Sequence, residues 1–114
     1  MIRGDIYQAD LDPTKGSEQA GKRPVAIVSR NGINRSSPVV VAVPITKFLP
    51  KKKIYPSHHL IKVSQENGLE VDSIVKCEQI RAIAKSRLSR KLGSLSVEDM
   101  NKIDTALKIV LSLK

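Results

Sequence analysis

The stretch "PVVVAVPIT" (Pro38–Thr46) decides the fold, because it is the most apolar run in the chain. Its length and its β-branched residues predict a buried strand. Pro44 has no N–H to donate to a neighbouring strand, so we expect the strand to lie at a sheet edge or to bulge there. The run before it, "RPVAIVS" (Arg23–Ser29), is apolar on both faces and predicts a central strand.

Three further runs have the length and composition of strands: "DIYQADL" (Asp5–Leu11), "HHLIKV" (His58–Val63) and "SIVKCEQIRAIA" (Ser73–Ala84). Alternation along the last run places Glu78 and Gln79 on opposite faces of the sheet. The connector Asn31–Ser37 fits either a short helical turn or a loop. Asn67–Gly68 is a turn signal, and the lysines and prolines of Lys47–Ser57 predict an exposed loop.

The period of the hydrophobic pattern changes at the end of the chain, in "SLSVEDMNKIDTALKIVLSLK". Its apolar residues recur at helical spacing, with Met100, Ile103, Leu107, Val110 and Leu111 on one face. Ser96 is the predicted N-cap, and Asp99 completes a weak capping box. Short turns between strands, followed by this helix, predict a mainly β, α+β fold over residues 1–114. We expect an antiparallel sheet curled into a small barrel, with the C-terminal helix packed on it.

The charge of the chain points to a polyanionic partner. Its 114 residues contain 20 Lys and Arg against 11 Asp and Glu, a formal net charge of +9. Nucleic acid, anionic lipid or an acidic protein segment would suit this excess, and a protein that is merely basic fits it equally well. The single cysteine excludes an intramolecular disulfide, and no long apolar segment predicts a signal peptide or a membrane span. These features favour a cytoplasmic protein.

Familiar catalytic motifs do not occur in the sequence. Gly16 and Gly21 match neither a P-loop nor a dinucleotide-binding fingerprint, and no nucleophile elbow is present. His58 and His59 are adjacent, so on a strand they point to opposite faces and cannot readily share a metal ion. Cys77 has apolar strand neighbours, which predicts an inert, half-buried thiol.

A set of polar residues on loops and strand ends remains. Pro24 restricts Arg23 to an extended backbone and so fixes where its guanidinium emerges. Thr46 ends a buried strand, and Glu18 and Gln19 lie in the glycine-flanked loop "KGSEQAGKRP". Taken singly, each of these side chains is explained by an ordinary structural or solvated role.

Together with their surroundings, these residues resemble the MazF/PemK family of toxin ribonucleases. The resemblance is carried by "RGDIYQADLDPTKGSEQAGKRPVAIVS", "PIT" and "DSIVKCEQIRAIAKSRL", and it extends over nearly the whole chain. It implies a small SH3-like barrel, a homodimer and a cofactor-free, metal-independent endoribonuclease that cuts single-stranded mRNA at short sequences and so inhibits translation and growth. It also implies a cognate, MazE-like antitoxin that covers the toxin with an acidic tail.

The resemblance assigns roles to individual residues. Arg23 and Thr46 match the catalytic arginine and threonine of the family, and Glu18 and Glu78 match acidic positions linked to activity in some members. The RNA-binding positions it implies are Ser17, Gln19, Lys22, Lys47, Phe48 and Gln79. The chain departs from some relatives at two positions. Ser17 stands where Kid-like members have a histidine, and Ala84 replaces an aspartate that could pair with Arg81.

Metal-free RNA cleavage suits these side chains. The ribose 2′-OH attacks the adjacent phosphorus and yields a 2′,3′-cyclic phosphate and a 5′-OH. Arg23 would stabilise the charge on the phosphorane, because its planar fork matches phosphate oxygens. Thr46 would bind a phosphoryl oxygen or orient the 2′-OH, and Glu18 or Glu78 would act as general base. Lysines of the exposed loop would attract RNA or an acidic antitoxin, while Phe48 and Tyr55 could stack a base.

Two other functions stay open on the sequence alone. A gyrase-poisoning toxin of the CcdB branch has the same fold, but this alternative rests on fold alone. Against it, the first loop is of the ribonuclease type and the chain contains no Trp. A non-catalytic RNA- or protein-binding module is the second alternative, and it would need a groove but not Arg23 and Thr46 together.

Overall fold

Seven strands and two helices make up the computed structural model, which describes all residues from Met1 to Lys114. In chain order they are β1 (Asp5–Asp10), β2 (Lys22–Ile27), α1 (Asn31–Ser36), β3 (Val39–Lys47), β4 (His58–Ile61), β5 (Ser73–Lys76), β6 (Arg81–Ala84), β7 (Leu88–Ser94) and α2 (Val97–Leu111). Short 3₁₀ turns at Cys77–Gln79 and Lys85–Arg87 precede β6 and β7. No helix is long and apolar enough to cross a membrane.

The strands form one antiparallel sheet in the order β4-β5-β3-β2-β1-β7, and β6 pairs with the first half of β3. This confirms the α+β class and the antiparallel sheet. The end strands β4 and β7 do not pair with each other. The barrel is therefore not closed by hydrogen bonds, and the sheet stays open between these two strands.

Pro44 lies in a central strand, so the expected edge position is wrong. Val25 of β2 pairs with Pro44 on one side of β3. On the other side, β6 pairs with β3 as far as Ala42, and β5 pairs with it from Ile45 onward. On this side the partner of β3 changes from β6 to β5 around Pro44, the residue that lacks an N–H. The proline therefore interrupts the pairing of β3 with its neighbours, and β3 itself continues.

The run Ser73–Ala84 is not one strand, which corrects the sequence-based prediction. The N–H of Ile80 donates to the carbonyl of Cys77 at 3.2 Å and closes a 3₁₀ turn between β5 and β6. Cys77 is fully buried in the core, rather than half-buried as expected. Strand alternation therefore does not govern Glu78 and Gln79, which both lie in the turn.

β7 was missed by the sequence analysis, which named no strand after Ala84. Its sequence, "LSRKLGS", is largely polar and none of its residues is buried, so hydrophobic alternation is weak. The strand forms because β1 supplies a pairing partner, with two register shifts along the pair.

The connector Asn31–Ser37, for which the sequence left a helical turn or a loop open, forms the short helix α1. In it, buried Asn34 donates to the carbonyl of Ser29 at 2.8 Å.

Apolar side chains form two clusters on the two faces of β2 and β3. The cluster under α2 contains Ile6, Ala26, Val28, Val43, Ile45, Val75, Ile103 and Ala106, among others. The other contains Ala9, Leu11, Val25, Ile27, Val40, Ala42 and Ile83. The prediction that β2 is apolar on both faces is thus confirmed, and burial on both faces is what makes it a central strand.

The predicted C-terminal helix is confirmed together with its cap. Ser96 Oγ accepts the N–H of Asp99 at 3.0 Å, and two acidic residues stand in the first turn, where the helix dipole favours negative charge. The Asp99 carboxylate also meets His59 Nε2 of β4 at 2.8 Å. These contacts fix the beginning of α2 against the sheet.

The Asn67–Gly68 turn is also confirmed, and it packs closely against β7. The N–H of Ser94 donates to the carbonyl of Glu66 at 2.8 Å. Gly68 has a φ of +66°, and a Cβ at this position would lie 1.9 Å from the carbonyl oxygen of Leu92. Only glycine allows the turn to approach β7 so closely.

Candidate functional site

A groove of about 510 Å³ opens where β2 and β3 diverge. The two strands pair only as far as Val25 and Pro44, after which β2 continues along β1 and β3 along β5. Arg23 and Thr46 both line this groove. Arg23 and Thr46 each stand two residues beyond the last β2–β3 pair, Val25 and Pro44, so they lie on the two sides of the gap between the strands. The structure therefore brings together the two residues that the sequence analysis named first.

The guanidinium of Arg23 is half-buried and only partly engaged. Its Nε donates to the carbonyl of Ala20 at 2.8 Å, which orients the group and holds the end of the first loop. Arg23 forms no salt bridge, and its terminal nitrogens make no hydrogen bond within the protein. Those nitrogens are free to bind an anion such as phosphate.

Positive charge dominates the walls of this groove. Lys22, Lys47 and Arg90 line it together with Arg23, and Glu70 is the only carboxylate among the lining residues. Gln8 and Ser73 add uncharged polar groups. An excess of cations in a concave surface attracts polyanions and concentrates them near Arg23.

A second groove, of about 440 Å³, adjoins the first and shares Thr46 and Lys47 with it. It has a different character, because aromatic side chains line it: Phe48, Tyr55 and His58. The Tyr55 ring, 52% exposed, meets the His58 ring edge-on with centroids 5.4 Å apart. Lys53 Nζ lies 5.1 Å from the Tyr55 centroid, within the range of a cation–π contact.

The first loop curls back on itself around Glu18. Glu18 Oε1 accepts the N–H of Lys15 at 2.6 Å, and the Glu18 N–H donates to the Lys15 carbonyl at 3.1 Å. Glu18 is exposed and lines neither groove. The structure therefore does not bring it against Arg23 or Thr46.

Gln79 holds the backbone of the same loop. Its Oε1 accepts the N–H of Gln19 at 3.3 Å, and its Nε2 donates to the carbonyl of Ser17 at 3.4 Å. The Ser17 side chain is exposed and that of Gln19 is half-buried. Because its amide is engaged on both sides, Gln79 acts here as a tether between the 3₁₀ turn and the loop.

Glu78 faces the second groove's aromatic residues rather than Arg23. Its Oε2 lies 3.0 Å from His58 Nε2, and His58 Nδ1 accepts the N–H of Tyr55 at 3.3 Å. Since Nδ1 is an acceptor, the Nε2 of His58 carries the proton and donates to Glu78. Burial by itself raises the Glu78 pKa, but hydrogen bonds from His58, the Glu78 backbone and Ser57 outweigh it and lower the pKa.

Glu78→Gln is expected to destabilise the protein slightly near neutral pH and not at acidic pH. The lowered pKa means that folding favours the carboxylate, so Glu78 contributes stability above its ordinary pKa of 4.5. This contribution disappears as the pH falls through the lower folded-state pKa. Because 41% of the side chain is exposed, solvent screening limits the effect to less than about 1 kcal/mol. Urea unfolding of the wild type and the variant, at neutral pH and well below pH 4.5, measures this difference in the free energy of unfolding.

The matched control is Glu70→Gln, since the Glu70 carboxylate is exposed and makes no salt bridge. Its stability relative to wild type should stay the same at both pH values. A Glu78→Gln deficit that persists unchanged under acidic conditions would contradict the assigned ionisation.

The other titratable residues with special surroundings have structural roles. Burial raises the pKa of the Cys77 thiol to about 12, with smaller contributions from Glu78 and Asp104. The thiol is therefore protonated and inert, as the sequence predicted. His58 and His59 contact different carboxylates, Glu78 and Asp99, in agreement with the expected opposite faces.

Four polar or charged lining residues of the first groove were not identified from the sequence: Gln8, Glu70, Ser73 and Arg90. Arg90 lies in β7, the strand whose pattern was too weak to recognise. Gln8 stands in a recognised strand but was not assigned a role. No local signal marks these residues: Gln8 and Arg90 reach the groove through the pairing of β1 with β2 and β7, Ser73 through the pairing of β5 with β3, and Glu70 from the connection between β4 and β5.

Comparison with known proteins identifies the family. Residues 2–111 match the model of the PemK-like, MazF-like toxins of type II toxin–antitoxin systems. The chain is 45% identical over 111 residues to Endoribonuclease EndoA of Bacillus subtilis (strain 168), with 97% of this chain and 94% of that protein aligned.

Solved structures give the same result for the fold. An endoribonuclease in complex with its cognate antitoxin, from a mycobacterial species, superposes with a TM-score of 0.81 at 31% identity and covers 100% of this chain and 97% of its own. MazF from Deinococcus radiodurans superposes with a TM-score of 0.84 at 21% identity, covering 99% and 97%. The resemblance noted in the sequence is thus confirmed, and the chain belongs to the PemK-like, MazF-like toxin family of type II toxin–antitoxin systems.

Proposed function

We propose that this toxin is an endoribonuclease that cuts single-stranded mRNA at a short sequence, without a metal ion or cofactor. The observation that carries the proposal is the half-buried guanidinium of Arg23, whose unengaged nitrogens face a cationic groove shared with Thr46. The name and the 45% identity of the Bacillus subtilis endoribonuclease support the same activity. Cleavage of mRNA would inhibit translation and growth.

The proposed reaction is an internal transesterification. The 2′-oxygen bonds to the adjacent phosphorus, and the bond from phosphorus to the 5′-oxygen breaks. One proton leaves the 2′-OH and one is delivered to the 5′-oxygen, so the products are a 2′,3′-cyclic phosphate and a 5′-OH. Arg23 stabilises the phosphorane charge with its free N–H groups, and Thr46 holds a phosphoryl oxygen or orients the 2′-OH.

Glu18 is the better of the two candidate general bases. Its carboxylate is exposed and accepts only a backbone amide of its own loop, so a rearrangement of that loop on RNA binding would be needed to bring it to Arg23 and Thr46. Glu78 is bonded to His58, and its lowered pKa weakens it as a base near neutral pH. We therefore propose that Glu78 positions the His58 ring in the second groove.

RNA binding is proposed to use both grooves. Lys22 and Lys47 attract the phosphates near Arg23, and Phe48 with Tyr55 offers stacking surfaces for bases in the second groove. Ser17 and Gln19 contribute from the first loop. Gln79, in contrast, supports recognition indirectly by holding that loop in place.

The partners proposed for this chain follow from the family. A MazE-like antitoxin with an acidic segment would find complementary charge in these grooves, and a mycobacterial relative at 31% identity is described in complex with its cognate antitoxin. We also propose a homodimer, as the family resemblance implies, and a cytoplasmic location, which the single cysteine and the lack of a long apolar segment favour.

Cleavage can be tested by incubating the purified protein with a long single-stranded RNA in EDTA and mapping the product ends. We expect cuts at a recurring short sequence, with 5′-OH termini and cyclic phosphates. Intact RNA under these conditions would overturn the proposal. Inhibition of DNA supercoiling by gyrase would indicate a gyrase poison instead, and tight RNA binding without cuts would indicate a non-catalytic module.

A further inference from the structure

Arg90 occupies the wall of the first groove that lies across β1 from Arg23. Gln8 of β1 pairs with Pro24 on one side and with Arg90 on the other, so the three residues form one row across β2, β1 and β7. Two strand spacings separate the ends of this row, about 10 Å. The row thus crosses the sheet from the residue next to Arg23 to the edge strand β7, on the face opposite to the side chains of Arg23 and Thr46, and the groove at the gap between β2 and β3 is lined from both faces.

The guanidinium of Arg90 is exposed and has no partner in the protein. Two other arginines, which line neither groove, are engaged within the protein: Arg81 donates to the carbonyl of Leu11 at 3.4 Å, and Arg87 donates to the carbonyls of Asp10 and Asp12. Arg90 forms neither a salt bridge nor a side-chain hydrogen bond. All of its N–H donors are available to a ligand.

The chemistry of the first groove favours phosphate over bases as that ligand. No aromatic side chain lines it, so it offers no ring on which a base could stack. Its cations outnumber its single carboxylate, Glu70, and the planar fork of arginine matches phosphate oxygens. The aromatic residues lie instead in the second groove.

We propose that Arg90 binds a backbone phosphate of the RNA strand, away from the bond that is cut. This inference rests on the proposed ribonuclease function and extends it. The row Pro24–Gln8–Arg90 anchors the strand without reading its sequence, whereas the aromatic second groove receives bases. Arg90 is accordingly a substrate-binding residue and takes no part in proton transfer.

The test is Arg90→Gln, with fluorescence anisotropy on a short RNA whose 2′-hydroxyls are methylated so that it cannot be cut. Loss of one phosphate contact should weaken binding about five- to tenfold at low salt. The slope of log affinity against log salt should become shallower by about 0.7, the value for one phosphate of a single strand. Both effects should be the same for RNAs of different sequence.

The matched control is Arg35→Gln. Arg35 is an exposed, unpaired arginine on α1, at the opposite end of the β2–β3 pair from the groove, so its removal should leave the salt slope unchanged. Arg90→Lys should retain the salt slope because it keeps the charge. Thermal unfolding should not differ among the three variants, since both arginines are exposed.

Cleavage by the wild type in EDTA is measured alongside. Absence of cleavage would refute the proposed function, whereas normal cleavage with unchanged binding by Arg90→Gln would refute only the role of Arg90. A change in sequence preference would mean that Arg90 contacts a base, and weaker binding of an acidic peptide alone would mean that it serves a protein partner. Either outcome would overturn the inference.

Discussion

Arg23→Ala is expected to lower kcat for RNA cleavage by at least about 100-fold, since removal of one preorganised donor from a transition-state oxyanion has effects of this size. The guanidinium has one nitrogen anchored on the carbonyl of Ala20 and its others free. Alanine removes the groups that face the phosphorane. Single-turnover cleavage of a fluorescent RNA, with the enzyme in excess, measures the loss.

Two further variants distinguish a catalytic role of Arg23 from nonspecific electrostatic attraction of RNA. Lys22→Ala removes an exposed cation from the same groove, so it should weaken RNA binding with little change in kcat. Arg23→Lys keeps the charge but lacks the planar fork, and it should recover only part of the activity. If Arg23→Ala cleaved as fast as wild type at saturating enzyme, Arg23 would not be catalytic.

Gly68→Ala is expected to destabilise the fold by at least about 3 kcal/mol, near the upper end of single-residue effects. The added Cβ would lie 1.9 Å from the carbonyl oxygen of Leu92 and 2.7 Å from its carbon, both backbone atoms that cannot rotate away. The turn would have to leave β7. Because Gly68 and Leu69 also line the first groove, the groove should change shape as well.

Gly16→Ala is the matched control for this substitution. Gly16 also has a positive φ, +56°, but a Cβ there has nothing within 4 Å. Its cost should therefore be that of the backbone conformation alone, about 1 kcal/mol. Urea unfolding compares the free energies of unfolding of the two variants. Equal losses would show that the close approach to Leu92 is not the reason why position 68 requires glycine.

Elements with strong local signals could be predicted from the sequence. β2 and β3 were recognised because apolar residues lie on both of their faces, and α2 because its apolar residues recur at helical spacing after a Ser96 cap. The Asn67–Gly68 turn was recognised for the same kind of reason, since glycine adopts a positive φ without strain. Each of these signals lies within a few residues of the element that it specifies.

Elements that depend on distant partners were missed or misread. β7 is polar and becomes a strand only beside β1. The single strand expected over Ser73–Ala84 breaks because its two halves pair with different parts of β3. The position of Pro44 was misjudged for the same reason. A strand proline is compatible with an edge strand and also with a central strand whose partner changes at that point, and the sequence does not distinguish the two.

The sequence by itself determined the family, the main strands and helix, and the identities of Arg23 and Thr46. Only the tertiary structure decided how these residues meet and which others join them. In the structure, Glu18 accepts a hydrogen bond from its own loop, Glu78 contacts His58, and Arg90 lines the first groove. The reason is physical: hydrogen-bonding propensity and hydrophobic period are local properties, whereas strand register and the contacts of exposed polar side chains depend on residues far apart in the chain.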